Sequence, residues 1–204
     1  MFVTPYFKPQ SVEQVEDFLK KNTFAALVSM VEGKLWATHI PMLLGKNQAG
    51  EQVLWAHVSK GNPQWKEIAD QDEVMAIFQG PHTFVTSDWY DHQNVSTWNY
   101  VAVHVYGKAR LLDGDDLRST VRHLVEHYES PHSKGHIDNL DEKYLNQQFR
   151  GIMGIELKVE RIEAAFKMSQ NRDASNYENI IEKLEERNEN DDKKVAEIMR
   201  DLKK

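Results

Sequence analysis

Residues 95–107 read VSTWNYVAVHVYG, and the alternation of Val101, Val103 and Val105 with other side chains in a β-branched run predicts a strand with one face in a core. His104 and Tyr106 share the opposite face, and the stretch begins with Trp98, Asn99 and Tyr100 side by side. What that second face meets decides the use of the fold.

Working outward, QVLWAHV (52–58), EVMAIFQG (73–80), HTFVT (82–86) and STWNYVAVHVYGKARLL (96–112) read as short strands separated by Gly, Pro, Asn and Asp. TFAALVSMV and KLWATHIPMLL flank Glu32-Gly33, where glycine supplies the positive φ of a tight hairpin. GIMGIELKV (151–159) returns to strand character. So many short strands predict a closed or partly closed barrel. Helices frame it. Ser11 followed by Gln14 is a capping-box pattern ahead of the helical stripe Val12, Val15, Phe18 and Leu19. Residues 113–130 carry acids at the start and Leu117, Val121, Leu124 and Tyr128 on one stripe. From Tyr177 onward two amphipathic stretches flank NENDD, and they predict a helical tail packed on the barrel or on a second subunit.

Composition bounds the chemistry. The chain has 204 residues, 40% of them hydrophobic, enough for one substantial core. Cysteine is absent, which excludes disulfides, thiolate nucleophiles and Cys-based zinc sites. No run approaches the roughly 20 apolar residues that cross a bilayer, and MFVTPYFKPQ lacks the regions of a signal peptide, so a cytoplasmic protein is expected. The net charge of −7 opposes attraction to nucleic-acid phosphates or an anionic membrane. The tail from Asp173 is no basic arm either, with ten acids against seven Lys or Arg.

Four stretches could carry chemistry. In HVSKGNPQW (57–65), Asn62 is a favoured N-cap and Pro63 a favoured first helical residue, so backbone amides, the Lys60 ammonium and the Ser59 hydroxyl make a cradle for a phosphate. A capped loop with a solvated lysine is the alternative. Trp89, Tyr90, Trp98 and Tyr100 concentrate ring area that fills a barrel end or lines a cleft for a planar ligand. Their polar company, Ser87, Thr97, Asn99, His82 and His104, suits the edge of a heteroaromatic ring. In FKMSQNR (166–172), Lys167, Gln170 and Arg172 suit a phosphate or another subunit, against a solvated basic loop. His123 and His127 lie four apart on a helical face, with His132 and His136 beyond, but no zinc-protease pattern accompanies them. There is no G-x-S-x-G, G-x-G-x-x-G or P-loop.

HIPMLL, HVSKGNPQW, GPHTFVTSDWY, STWNYVAVHVYG and FKMSQNR together resemble the PaiB family, FMN-binding-type negative regulators of protease synthesis and sporulation in bacilli. Ser96 and Thr86-Ser87-Asp88 depart from the family pattern. The resemblance implies an α+β, mainly β fold: a split β-barrel over 1–172 with peripheral helices and a C-terminal helical extension over 173–204. It implies a cytoplasmic homodimer with FMN at the subunit interface, Ser59, Lys60 and Asn62 gripping the phosphate, and Trp98, Asn99 and Tyr100 beside the ring. Lys167, Gln170 and Arg172 reach the cofactor from the same or the other subunit. No membrane contact is expected, and DNA contact is unsupported by the charge. The alternatives are a flavin-dependent reductase or oxidase, with His82 or His104 as proton donor, and a cofactor-free interaction module.

Overall fold

The structure, a computed structural model, describes residues 1–203. In chain order it forms α1 (Val12–Lys21), β1 (Phe24–Val31), β2 (Lys34–Pro41), β3 (Leu43–Lys46), β4 (Gln52–Ser59), β5 (Val74–Val85), β6 (Thr97–Gly107), β7 (Ala109–Leu112), α2 (Gly114–Tyr128), α3 (Glu142–Arg150), β8 (Ile152–Lys158), β9 (Arg161–Lys167), α4 (Ala174–Arg187) and α5 (Asp192–Leu202). One sheet has the order β2-β1-β5-β6-β9 and the other β3-β4-β8-β7.

The hairpin between β1 and β2 turns at Glu32 and Gly33, with φ of 50° and 70°, the left-handed pair that suits the twist of the flanking strands. HTFVT is no separate strand. β5 runs through Gly80-Pro81, and its burial pattern slips by one residue there, so the stretch that looked like a stop is a bulge inside one strand. Gly80 permits this, since a Cβ there would lie 2.4 Å from the Phe18 ring. The run from residue 96 to 112 divides instead into β6 and β7. At the division a Cβ on Gly107 would strike the Lys158 carbonyl.

The chain divides into two compact units, residues 19–78 with 104–162, and residues 1–18 with 79–103 and everything from 163 onward. β5, β6 and β9 each carry residues of both. In the first unit α2 covers one face of β4 and β8, with His123 stacked on Trp55 at 4.6 Å and 8°. Buried Glu156 lies beneath, accepting from Trp55 Nε1 at 3.1 Å and from Arg110 Nε at 2.7 Å. Fully buried Gln64 ties the turn after β4 to β1 and β2, donating to the Leu27 carbonyl and Ser29 Oγ and accepting from Thr38 Oγ1. In the second unit Phe18 meets Phe166 edge-on, and α4 and α5 form a hairpin around Ile180, Ile181, Leu184, Val195 and Met199.

Candidate functional site

The Lys60 turn follows β4, where Ser59 ends the ladder opposite Ile152. Its backbone amides are already spent. Lys60 N–H donates to the Gly151 carbonyl, Gly61 N–H to Ser59 Oγ, Asn62 N–H to the Ser59 carbonyl and Gln64 N–H to Asn62 Oδ1. The expected helix is a 3-10 turn of four residues, Pro63–Lys66, and the Asn62 amide donates to Thr38 Oγ1 at 2.8 Å. The turn therefore offers a ligand the Lys60 ammonium rather than free amides.

That ammonium is exposed and lines a cleft of about 890 Å³ within its own unit. Arg118, Lys143, Asn146, Phe149 and Arg150 line the same cleft, and Asp113 and Glu142 are the acids present. Among the described residues, Lys60, Lys143 and Arg150 have no acidic partner, while Arg118 is fixed by Glu142 at 2.8 Å and lies 4.8 Å above the Phe149 ring. Sequence reasoning missed these cleft cations. α3 is a short helix of nine residues, and its cap, Asp141 accepting from the amides of Lys143 and Tyr144, was the signal available.

The ring stretch lies in the other unit. Trp98 is 53% exposed, with Phe84 edge-on at 5.9 Å and His82 tilted toward it at 6.2 Å. Tyr100 is half-buried, its ring 5.9 Å from Lys167 Nζ. Asn99 points the other way. It is fully buried, accepting from Ser169 Oγ at 2.9 Å and donating to Met199 Sδ at 3.5 Å. Gln170 also serves its own turn, accepting from Met168 N–H and donating to the Phe166 carbonyl. Lys167 and Arg172 lie close together there. Burial, then the Arg172 charge, push the Lys167 ammonium below the ordinary lysine range. Each unit thus brings together its own part of the expected site: Ser59, Lys60 and Asn62 in one, Tyr100, Lys167 and Arg172 in the other.

Among the described residues no group of three or more His, Asp or Glu is placed to hold a metal ion. His123 stacks on Trp55, His127 meets Tyr128 edge-on, and His136 accepts from the Asp138 amide.

Comparison with known proteins gives the family. Residues 1–161 match the model of the "Putative FMN-binding domain". The chain is 40% identical over 207 residues, spanning 100% of its own length and 99% of the relative's, to "Protease synthase and sporulation protein PAI 2" of Bacillus subtilis. Among solved structures, the flavocytochrome Anf3 of Azotobacter vinelandii superposes with a TM-score of 0.65 at 15% identity, covering 86% of this chain and 78% of that one. The FAD and heme binding protein of Mycobacterium smegmatis gives 0.61 at 16% identity, covering 83% and 77%. These likenesses show the fold, a split β-barrel with added helices. The cofactor that the family implies is FMN, and an exposed, unpaired lysine in a cation-lined cleft fits its phosphate. The chain belongs to the PaiB family of FMN-binding-domain proteins.

Proposed function

We propose that this chain is a homodimeric FMN-binding protein that lowers protease production and sporulation, a regulator of the PAI 2 type. The observation that carries this is the identity with PAI 2, which runs from one end of both chains to the other. Lys60 supplies the charge for the FMN phosphate, held in place by the Ser59 and Asn62 turn that Gln64 anchors to β1 and β2. Trp98, beside Phe84 and His82, and Tyr100 are the rings the chain offers to a flavin. When bound, FMN supplies a redox-active flat ring, and the chain's own part is to bind and orient it.

The outward face of β2, β1 and β5 supports a dimer. Phe24, Ala26, Val28 and Met30 of β1 stand opposite Pro41, His39, Ala37 and Leu35 of β2, and Ile77 and Met75 of β5 flank Ala26 and Val28. Phe24 is 63% and Leu35 80% exposed, and within this set of residues the one titratable side chain is His39. Apolar sheet surface of this kind marks an interface, and its flat neutral character suits a two-fold copy of itself. With a net charge of −7, the regulator acts in the cytoplasm through a partner or ligand rather than by gripping bare DNA.

The test is the freshly purified protein. A flavin absorption band, or stoichiometric FMN uptake on titration, together with higher secreted protease in a strain lacking the gene, is the expected result. A colourless protein that takes up no FMN overturns the cofactor assignment, and unchanged protease output overturns the regulatory one.

A further inference from the structure

Among the polar groups buried with nothing to bond in the unit that holds the ring stretch are the hydroxyl of Tyr90, a residue 9% exposed, and Nε of Arg172. They belong to one cluster. The Arg172 guanidinium lies 5.0 Å over the Tyr90 ring. Lys167 Nζ donates to Thr97 Oγ1 and stands 6.0 Å from the Phe7 ring and 5.9 Å from that of Tyr100. Among the described residues neither cation has an acidic partner. Asp173, next in the chain, commits its carboxylate to the backbone and side-chain amides of Asn176.

The arrangement is rigid. Ser169 is held at a φ of 60° with its hydroxyl on Asn99, Gln170 closes the turn on both sides, and Arg172 N–H donates to the Ser169 carbonyl at 3.0 Å. A left-handed serine costs backbone energy, and so do a buried N–H and O–H without acceptors and two cations without a counterion. One oxyanion removes the last three costs together, accepting from Arg172 Nε–H and Tyr90 O–H while neutralising the pair.

We propose that Tyr90, Lys167 and Arg172 form a receptor for a single oxyanion, the phosphate or carboxylate group of a small ligand other than FMN. That it is separate from the cofactor's phosphate site rests on the assignment of that phosphate to Lys60. In a PaiB-type regulator such a receptor gives the protein an anionic effector to sense beside its cofactor.

The experiment uses the full chain freed of flavin, titrated with inorganic phosphate and, in a second arm, acetate at constant ionic strength, with the thermal midpoint as readout. Saturable stabilisation by either anion is expected, and the tighter arm identifies the headgroup. Arg172→Gln should raise the half-saturating concentration at least tenfold and the near-isosteric Tyr90→Phe severalfold, with the FMN affinity of Tyr90→Phe by flavin fluorescence within twofold of the parent. Equal anion response in parent and both variants, or none in any, overturns the receptor. Loss of FMN binding in step with anion binding in Tyr90→Phe overturns its independence. Lys60→Gln separates the two ideas: unchanged FMN affinity there sinks the Lys60 assignment and leaves the anion titration standing.

Discussion

Asn99 stands in a ring-rich run yet faces the core, and its parity explains why. Residues 99, 101, 103 and 105 fall on one side of β6, so the alternation that buries the valines buries the amide with them. The period was legible in the sequence; the partners, Ser169 and Met199, were not, because they come from residues about 70 and 100 positions away. Lys60 was legible as a cation after a strand, but the competition for its neighbouring amides was invisible, since Gly151 belongs to a distant strand connection. Lys60→Ala should weaken FMN binding by about 1.5–3 kcal/mol, the usual worth of a charge-assisted contact, as read by fluorescence titration. His57 gives a second expectation. Its Nδ1 is buried without a partner, and burial lowers its pKa from the ordinary 6.5. Folded His57 therefore stays neutral where the unfolded chain takes up a proton, so its contribution is complete above pH 6.5 and drains as pH falls below it. The urea midpoint should drop more between pH 7.5 and pH 5.5, roughly the window of an ordinary histidine, in the parent than in His57→Gln.

Among the elements, the α4–α5 hairpin shows how a polar cluster fixes helices whose apolar stripes only say that they pack. Asn188 ends α4 in the left-handed region, φ 51° and ψ 43°, a conformation asparagine tolerates. Asp192, fully buried, then receives Arg187 Nε at 2.7 Å, the Glu189 amide at 3.0 Å and the Thr83 hydroxyl. Burial alone raises the Asp192 pKa, but the Arg187 and Thr83 bonds outweigh it and hold the carboxyl below the ordinary aspartate range. Its stabilisation is accordingly present above the unfolded value and lost as pH falls through the folded one. Asp192→Asn should cost about 3 kcal/mol at neutral pH, seen as a lower denaturant midpoint, and should flatten the acid limb of the stability profile. NENDD was readable as a break between helices. That its last aspartate is a buried anchor was not, because Thr83 comes from the later half of β5.

For the whole molecule, the decisive feature is the uncovered sheet face. Its alternation is written in TFAALVSMV, but ordinary strand reading assigns one side to water, and here both sides are apolar: Ala25, Leu27 and Val31 inward, Phe24, Val28 and Met30 outward. Leu35→Glu, at an 80% exposed position, should leave the fold intact and shift the protein from dimer to monomer by light scattering. A monomeric parent would refute that expectation. Strand density was enough to foretell the fold class. Which segments the tail packs with was not, because residues 79–103 and the C-terminal helices are far apart in the chain and meet only in the folded unit.

This interleaving bears on synthesis. Residues 1–18 leave the ribosome well ahead of the residues from Glu163 onward that share their compact unit. At translation speeds of roughly 5–20 residues per second, the opening segment waits on the order of ten seconds for its companions. During that wait Phe18, which meets Phe166 edge-on in the finished fold, has no such partner and offers its ring to chaperones.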